Sequence, residues 1–267
     1  MTTLQKIIKY FAIAMAIGLI VSIVGGIAGI AGLFGGGFGE NGVADTMKEY
    51  TIDDQIRDLE IEINAADLTI AYAQDFSVKS NLVYLEVSDA NGCLSITDTE
   101  KNGLRYENAV LTLYIPEGFT FEEIEITTGA AKLTTEVLSA DSVKLELGAG
   151  KVEIRELNAK KEAVIEGGAG AITISGGTLN DLDLDMGVGE LNMTAALLGE
   201  SELNYGVGKA KLTLLGDKDD YTVTFDKGLG SAVIDGKMVD DGAVIGTGVN
   251  RVDIVGGVGA AEVNFQK

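Results

Sequence analysis

The sequence predicts an all-β fold: a right-handed parallel β-solenoid preceded by a single transmembrane α-helix. Three observations predict it. An uncharged apolar run lies near the N-terminus, a Gly-x-Gly triplet recurs at a nearly fixed interval, and apolar residues spaced by two flank each triplet. An antiparallel β meander or sandwich, turning at LLGDKDD and GGTLND, is the alternative.

No residue from Tyr10 to Gly39 is charged. About 20 apolar residues cross a bilayer as a helix, so YFAIAMAIGLIVSIVGGIAGIAGLF is expected to span it, within residues 10–38. A cleaved signal peptide, with an apolar region of about 7–15 residues before a small-residue site, fits this longer run less well. Lys6 and Lys9 precede the run, while Glu40 and Asp45 follow it. Positive flanks stay cytoplasmic, which places residues 1–9 inside the cell and the bulk of the chain outside. Gly25, Ala28, Gly29 and Gly32 set small residues on one helical face, where two helices can approach closely. Small residues are also simply frequent in membrane helices. Residues 39–57, Gly-rich and then polar, read as a linker. Residues 58–267 read as the extracellular repeat domain.

The triplets are Gly148/Gly150, Gly168/Gly170, Gly187/Gly189, Gly206/Gly208, Gly228/Gly230 and Gly257/Gly259, with Gly129-Ala130-Ala131 a degenerate member ahead of them. Successive spacings are 19, 20, 19, 19, 22 and 29 residues. A period of this size marks a repeat architecture. With the last residue of each triplet as anchor, apolar residues recur five before it (Leu145, Ile165, Leu184, Leu203), one before it (Ala149, Ala169, Val188, Val207) and four after it (Ile154, Ile174, Met193, Leu212). Polar residues stand between, notably Glu146, Glu166, Asp185 and Asn204 four before the anchor. That alternation defines half-buried strands. The inward positions are expected at seven, five and one before the anchor, then two and four after it. The extra residue per repeat falls on the triplet as a bulge or corner, for which glycine is suited because it tolerates positive φ and has no side chain.

The frame recurs in DLEIEINAADLTI, where Ala66 is the anchor, so the array begins near residue 58. Residues 71–126 hold less regular strands (NLVYLEV, GCLSIT, AVLTLYIP) and are expected to form broader or paired layers, with Pro116 ending one. A single repeat buries too few side chains to offset the entropy of ordering its backbone, so layers must stack and share ladders. The closing AAEVNFQK is expected to leave an open sheet edge near the C-terminus, a surface for self-association by strand pairing.

Composition restricts the chemistry. The chain of 267 residues carries a net charge of -21, no His and one cysteine, Cys93. Ser-His-Asp and Cys-His catalysis, imidazole metal ligation and intrachain disulfides are therefore ruled out. Cys93 reads as a small buried hydrophobe rather than a reactive thiol. The acid excess argues against nucleic acid as a partner, since phosphate contacts need Lys and Arg. No triplet continues to GxGxxG before a helix or to the GK[ST] of a P-loop. GGAGAITI and GGVGAAEV begin like a calcium-binding repeat, but Ile172 and Ala261 stand where its Asp would be. Asp181, Asp183 and Asp185 alternate with Leu182 and Leu184, which makes them the wet face of a strand more readily than a metal loop. In-register stacking sets Glu146, Glu166 and Asp185 on neighbouring layers, where like charges destabilise. Lys151, Lys209 and Lys211 are candidates to relieve this, and Ca²⁺ bridging is a further expectation, to be read as a rise in melting temperature. Tyr205 and Tyr221 are candidates for sugar stacking or, more simply, strand residues. No catalytic, cofactor-binding or metal-binding residue is assigned, and no cofactor.

These features resemble a family of membrane-anchored bacterial envelope proteins described as candidate adhesins, whose shared domain has no assigned function. The segments carrying the likeness run from DLEIEINAADLTI through LTLYIPEGFTFEEIEITTGAAKLTTEVLSADSVKLELGAGKVEI to the closing GGVGAAEVNF. The resemblance implies a membrane-tethered β-solenoid at the cell surface, with some relatives tied to envelope-stress signalling. The expected function is a non-enzymatic surface protein in adhesion or envelope interaction, with a glycan or protein ligand. The alternatives are an accessory of envelope-stress sensing and a glycan-active enzyme using paired carboxylates.

Overall fold

The computed structural model describes residues 42–52, 55–100 and 106–267. The expected cytoplasmic segment 1–9 and membrane helix 10–38 lie outside the described residues. Among the described residues no helix is long and apolar enough to cross a membrane.

The described chain is all-β. Its strands are β1 (Val43–Thr51), β2 (Asp58–Ala73), β3 (Ser77–Leu82), β4 (Leu85–Ser88), β5 (Cys93–Asp98), β6 (Val110–Pro116), β7 (Phe121–Ile174), β8 (Gly177–Asn180), β9 (Leu182–Leu198) and β10 (Glu200–Leu215). Then follow β11 (Tyr221–Asp226), β12 (Leu229–Ile234), β13 (Lys237–Met238), β14 (Ala243–Gly246) and β15 (Asn250–Gln266). They join one sheet whose neighbour order is β1-β3-β6-β2-β7-β8-β9-β10-β15-β11-β14.

The central layers are parallel and in register, which removes the antiparallel meander from consideration. Ile61 pairs with Ile126, Ile165 with Leu184, Leu184 with Leu203, Leu203 with Ile254, and Ile254 with Phe225. Residues at matching places in each repeat thus stack into columns about 4.8 Å apart. The inner columns form one hydrophobic core of Leu, Ile, Val and Ala, with few aromatics. β7 runs for 54 residues because its corners do not interrupt its ladders.

The corner differs from expectation in one respect. Position three before the anchor is buried, as at Leu147, Met186 and Tyr205. Position one before it faces out: Val188 is 37% exposed, Val207 39%, Val258 49% and Leu229 72%. The inward series is therefore seven, five and three before the anchor. The two glycines and their central residue then carry the chain around the outside before it re-enters at the second residue after the anchor. The anchor glycines hold the positive φ of this corner, +145° at Gly170 and +146° at Gly189. A Cβ on either would run into the anchor carbonyl of the layer beneath.

Both ends of the parallel stack close with antiparallel pairs: β4 on β5, β3 on β6 and β1 on β3 at one end, β13 on β12 and β14 on β11 at the other. β1 lies within the expected linker 39–57. Tyr50 docks it, packing against the core and donating its hydroxyl to the Leu85 carbonyl at 3.2 Å. Residues 71–126 form paired end layers, with Pro116 last in β6.

The expected open edge at the C-terminus is overturned. β15 pairs in parallel with β10 on one side and with β11 and β12 on the other. The turn after Leu215, through the short 3-10 segment Lys218–Asp220, starts β11 two layers beyond β10, and residues 250–266 fill the gap. Hydrogen bonds fix both ends of the insert: Arg251 N–H donates to the Gly199 carbonyl at 2.8 Å and Gly216 N–H to the Gln266 carbonyl at 2.8 Å. The irregular spacings of 22 and 29 residues mark this insertion.

Candidate interaction groove

The repeated corner builds a groove. It runs along the stack from Thr127 and Thr128 to Val255, Gly256 and Gly257, with a volume of about 500 Å³. Its lining repeats layer by layer: a residue four before the anchor (Glu146, Glu166, Asp185, Asn204, Val255), then the inward residue, then the first glycine of the triplet. The wall is in register, since Glu166 pairs with Asp185, Asp185 with Asn204, and Asn204 with Val255. Strand alternation aims these side chains outward, and the glycines leave the trough beside them unfilled.

Beneath the groove, two large residues on adjacent layers, Met186 and Tyr205, are flanked by Gly167 and Gly256. Met186 leans on Gly167, its Sδ 3.3 Å from where a Cβ would sit, and the hydroxyl end of Tyr205 lies over Gly256. A Cβ at Gly256 would collide with the Tyr205 hydroxyl, and one at Gly167 would press on Ile172 Cδ1 and Met186 Sδ. Tyr205 is 6% exposed, and its hydroxyl makes no hydrogen bond among the described residues. Burial pushes its pKa up. Asn204 donates from Nδ2 to Glu202 Oε1 at 3.2 Å, but its buried Oδ1 has no partner.

The acid stacking expected from the sequence is present and partly relieved. Lys144 Nζ lies 2.8 Å from Glu125 Oε1 and 2.7 Å from Glu146 Oε1, and those hydrogen bonds raise the pKa of its ammonium. Lys151 instead pairs with Glu153 at 2.7 Å, and Lys211 approaches Glu262 at 4.0 Å, so neither neutralises the groove wall. Glu166 and Asp185 make no ion pair or side-chain hydrogen bond among the described residues. A second acid ladder runs beside the first, with Glu202 paired to both Asp183 and Asp253. Desolvation, then the charges of Asp185 and Glu202, raises the pKa of Asp183.

Of the three alternating aspartates, Asp183 and Asp185 sit on the outward face, as the strand reading expected. Asp181 occupies a turn at φ +44° and accepts from Glu200 N–H at 2.9 Å. Among the described residues no group of three or more Asp, Glu, Cys or His side chains could hold a metal ion. Neither tyrosine offers a stacking platform. Tyr221 is 1% exposed and donates to the Leu215 carbonyl at 2.6 Å, while Tyr205 is buried under the groove. The part of Tyr205 and of the inward column was missed in the sequence. The signal was the pairing of a bulky residue with glycine three before successive anchors.

Parallel layers in register, corner glycines and an open groove repeated across layers define a class: a stacked β-repeat protein with an extended concave face. The Toastrack family model, DUF4097, matches residues 47–254, and the chain belongs to that domain family of unknown function. No functionally curated protein matches the sequence. Among solved structures, a candidate cell adhesion protein from Clostridium sporogenes is similar at 17% identity, covering 83% of this chain and 99% of its own, with a TM-score of 0.34. A candidate adhesin from Bacteroides fragilis shares 10% identity over 84% of this chain and 100% of its own, TM-score 0.41. A candidate lipid-binding protein from Parabacteroides distasonis shares 13% over 84% and 98%, TM-score 0.35.

Proposed function

We propose that this chain is a non-enzymatic, membrane-anchored surface protein that engages a ligand through its layered groove, in the manner of an adhesin or envelope interaction protein. On this reading residues 10–38 cross the membrane once, with residues 1–9 in the cytoplasm, and residues 58–267 stand outside as a right-handed solenoid. One observation carries it: the groove presents the same kind of lining in successive in-register layers. A repeated trough suits many weak contacts with an extended ligand better than one reaction centre. A binding screen of the chain against cell-wall glycans and host matrix proteins tests the reading. Saturable binding lost on replacing groove residues supports it, and binding indifferent to them refutes it. Protease treatment of intact cells, expected to remove residues 58–267, tests the orientation.

A further inference from the structure

The side-chain oxygens of the groove that lack a partner can all accept hydrogen bonds, two of them outward carboxylates and two buried. The carboxylates of Glu166 and Asp185 are unpaired, Asn204 Oδ1 is buried without a donor, and the Tyr205 hydroxyl, on a side chain 6% exposed, lies against Gly256 of the same lining without a partner. Among the described residues neither Lys nor Arg lines the groove. A ligand that completes it must therefore bring donors and positive charge. The remainder of the lining is Thr127, Thr128, the Lys144-paired Glu146, and glycine with Leu147, Met186 and Val255; the glycines and these three apolar residues are a surface for methylene groups. A bare divalent ion fits poorly, because no cluster of three metal-binding side chains exists among the described residues.

We propose that the groove binds a linear polyamine, its ammonium groups on the Glu166–Asp185 wall and its methylenes over the glycines. Those two carboxylates belong to paired residues on adjacent strands, a separation of about 4.8 Å. Four extended bonds of about 1.5 Å set ammonium groups across three methylenes about 5 Å apart, which matches the wall. Asn204 Oδ1, one layer further on, accepts from the next ammonium, and the Tyr205 oxygen accepts from the one beside it.

This inference rests on reading the groove as the interaction site. The test is isothermal titration of the full-length chain, in a non-ionic detergent at low salt, with spermine. Saturable binding is expected, weakened at least tenfold by Glu166→Gln with Asp185→Asn and about fivefold by Tyr205→Phe. It is expected to stay within twofold of the parent for Glu86→Gln with Glu117→Gln, which removes equal charge elsewhere. Near-UV circular dichroism checks that each variant keeps its packing. Absence of saturable binding overturns the proposal, as does equal loss in the two double variants, which would mean attraction to bulk charge. Tetralysine binding as tightly as spermine, or Ca²⁺ displacing spermine at equal concentration, also overturns it. If spermine fails while the chain still binds in the glycan and matrix screen through groove residues, the ligand class falls and the interaction reading stands.

Discussion

Replacing Gly189 by alanine tests the stacked corner directly. The new Cβ would lie 1.8 Å from the Gly170 carbonyl oxygen, whereas real Cβ atoms essentially never come under 3.0 Å, so one layer must shift by about 1.2 Å. That carbonyl belongs to the ladder between adjacent layers and cannot move alone. The φ of +146° adds its own cost: a non-glycine residue in a sparsely populated backbone region costs about 1–3 kcal/mol. One or two weakened ladder hydrogen bonds cost about 1 kcal/mol each. The expected loss is about 2–5 kcal/mol, or about 4–20 °C in melting temperature at about 2–4 °C per kcal/mol for a domain of this size. Two controls separate the contributions. Gly118 has φ +76° with nothing within 4 Å, so Gly118→Ala should cost only about 1–2 kcal/mol. Gly176 has no positive φ and its nearest neighbour is the Arg155 carbonyl at 3.4 Å, so alanine there should stay within about 0.5 kcal/mol of the parent. Thermal unfolding followed by far-UV circular dichroism gives all three. A Gly189→Ala protein melting within about 3 °C of the parent, or together with Gly118→Ala, would refute the close-stacking account.

Three further outcomes follow from the same geometry. Gly256→Ala should destabilise because its Cβ meets the Tyr205 ring end, and adding Tyr205→Ala should recover at least about 1 kcal/mol in a double-mutant cycle by urea unfolding; strict additivity would contradict that contact. Asp183 has a folded-state pKa raised above 3.8, so the folded state holds its proton more tightly and stability falls as pH rises through that window. Asp183→Asn should therefore raise the melting temperature at pH 7, with the gain shrinking in high salt and vanishing below about pH 3.8. Burial and the charges of Glu60, Asp58 and Glu123 raise the pKa of the Cys93 thiol. Iodoacetamide should thus modify it more slowly than a free cysteine at pH 8, and a faster rate would contradict the half-buried setting.

Much of this architecture was legible in the sequence because each layer repeats the same physical constraint. Leu145, Ile165, Leu184 and Leu203 recur at one place in the period and stack in one column, so their spacing reported both strand and register. At the corner the inward residue stands three before the anchor, two residues earlier than expected. Val188 and Val207 are apolar, and hydrophobicity alone pointed them inward, yet the glycines on either side hold them on the outer ridge. Within the expected linker, residues 43–51 pair with β3 as β1, and Val43, Tyr50 and Ile52 pack against the core, a spacing too sparse to read as a strand in the sequence. The groove was only half visible. Its carboxylate wall followed from Glu146, Glu166 and Asp185, whereas the orphaned hydroxyl of Tyr205 depends on the neighbouring Gly256, which lies far away in sequence and one layer away in space.

The inserted strand carries a consequence for how the molecule matures. Residues 250–266 are synthesised after residues 221–234 yet stand between them and everything made earlier, so the order of translation and the order of assembly disagree. Layers up to residue 215 can zip onto one another as they emerge. The segment that follows can pair only within itself, β11 with β14 and β12 with β13, and must wait for a latecomer to join the stack. A nick or stall ahead of residue 250 would leave two bare flanks at once, one on each side of an empty slot, which makes that stretch the checkpoint between a growing chain and a finished one.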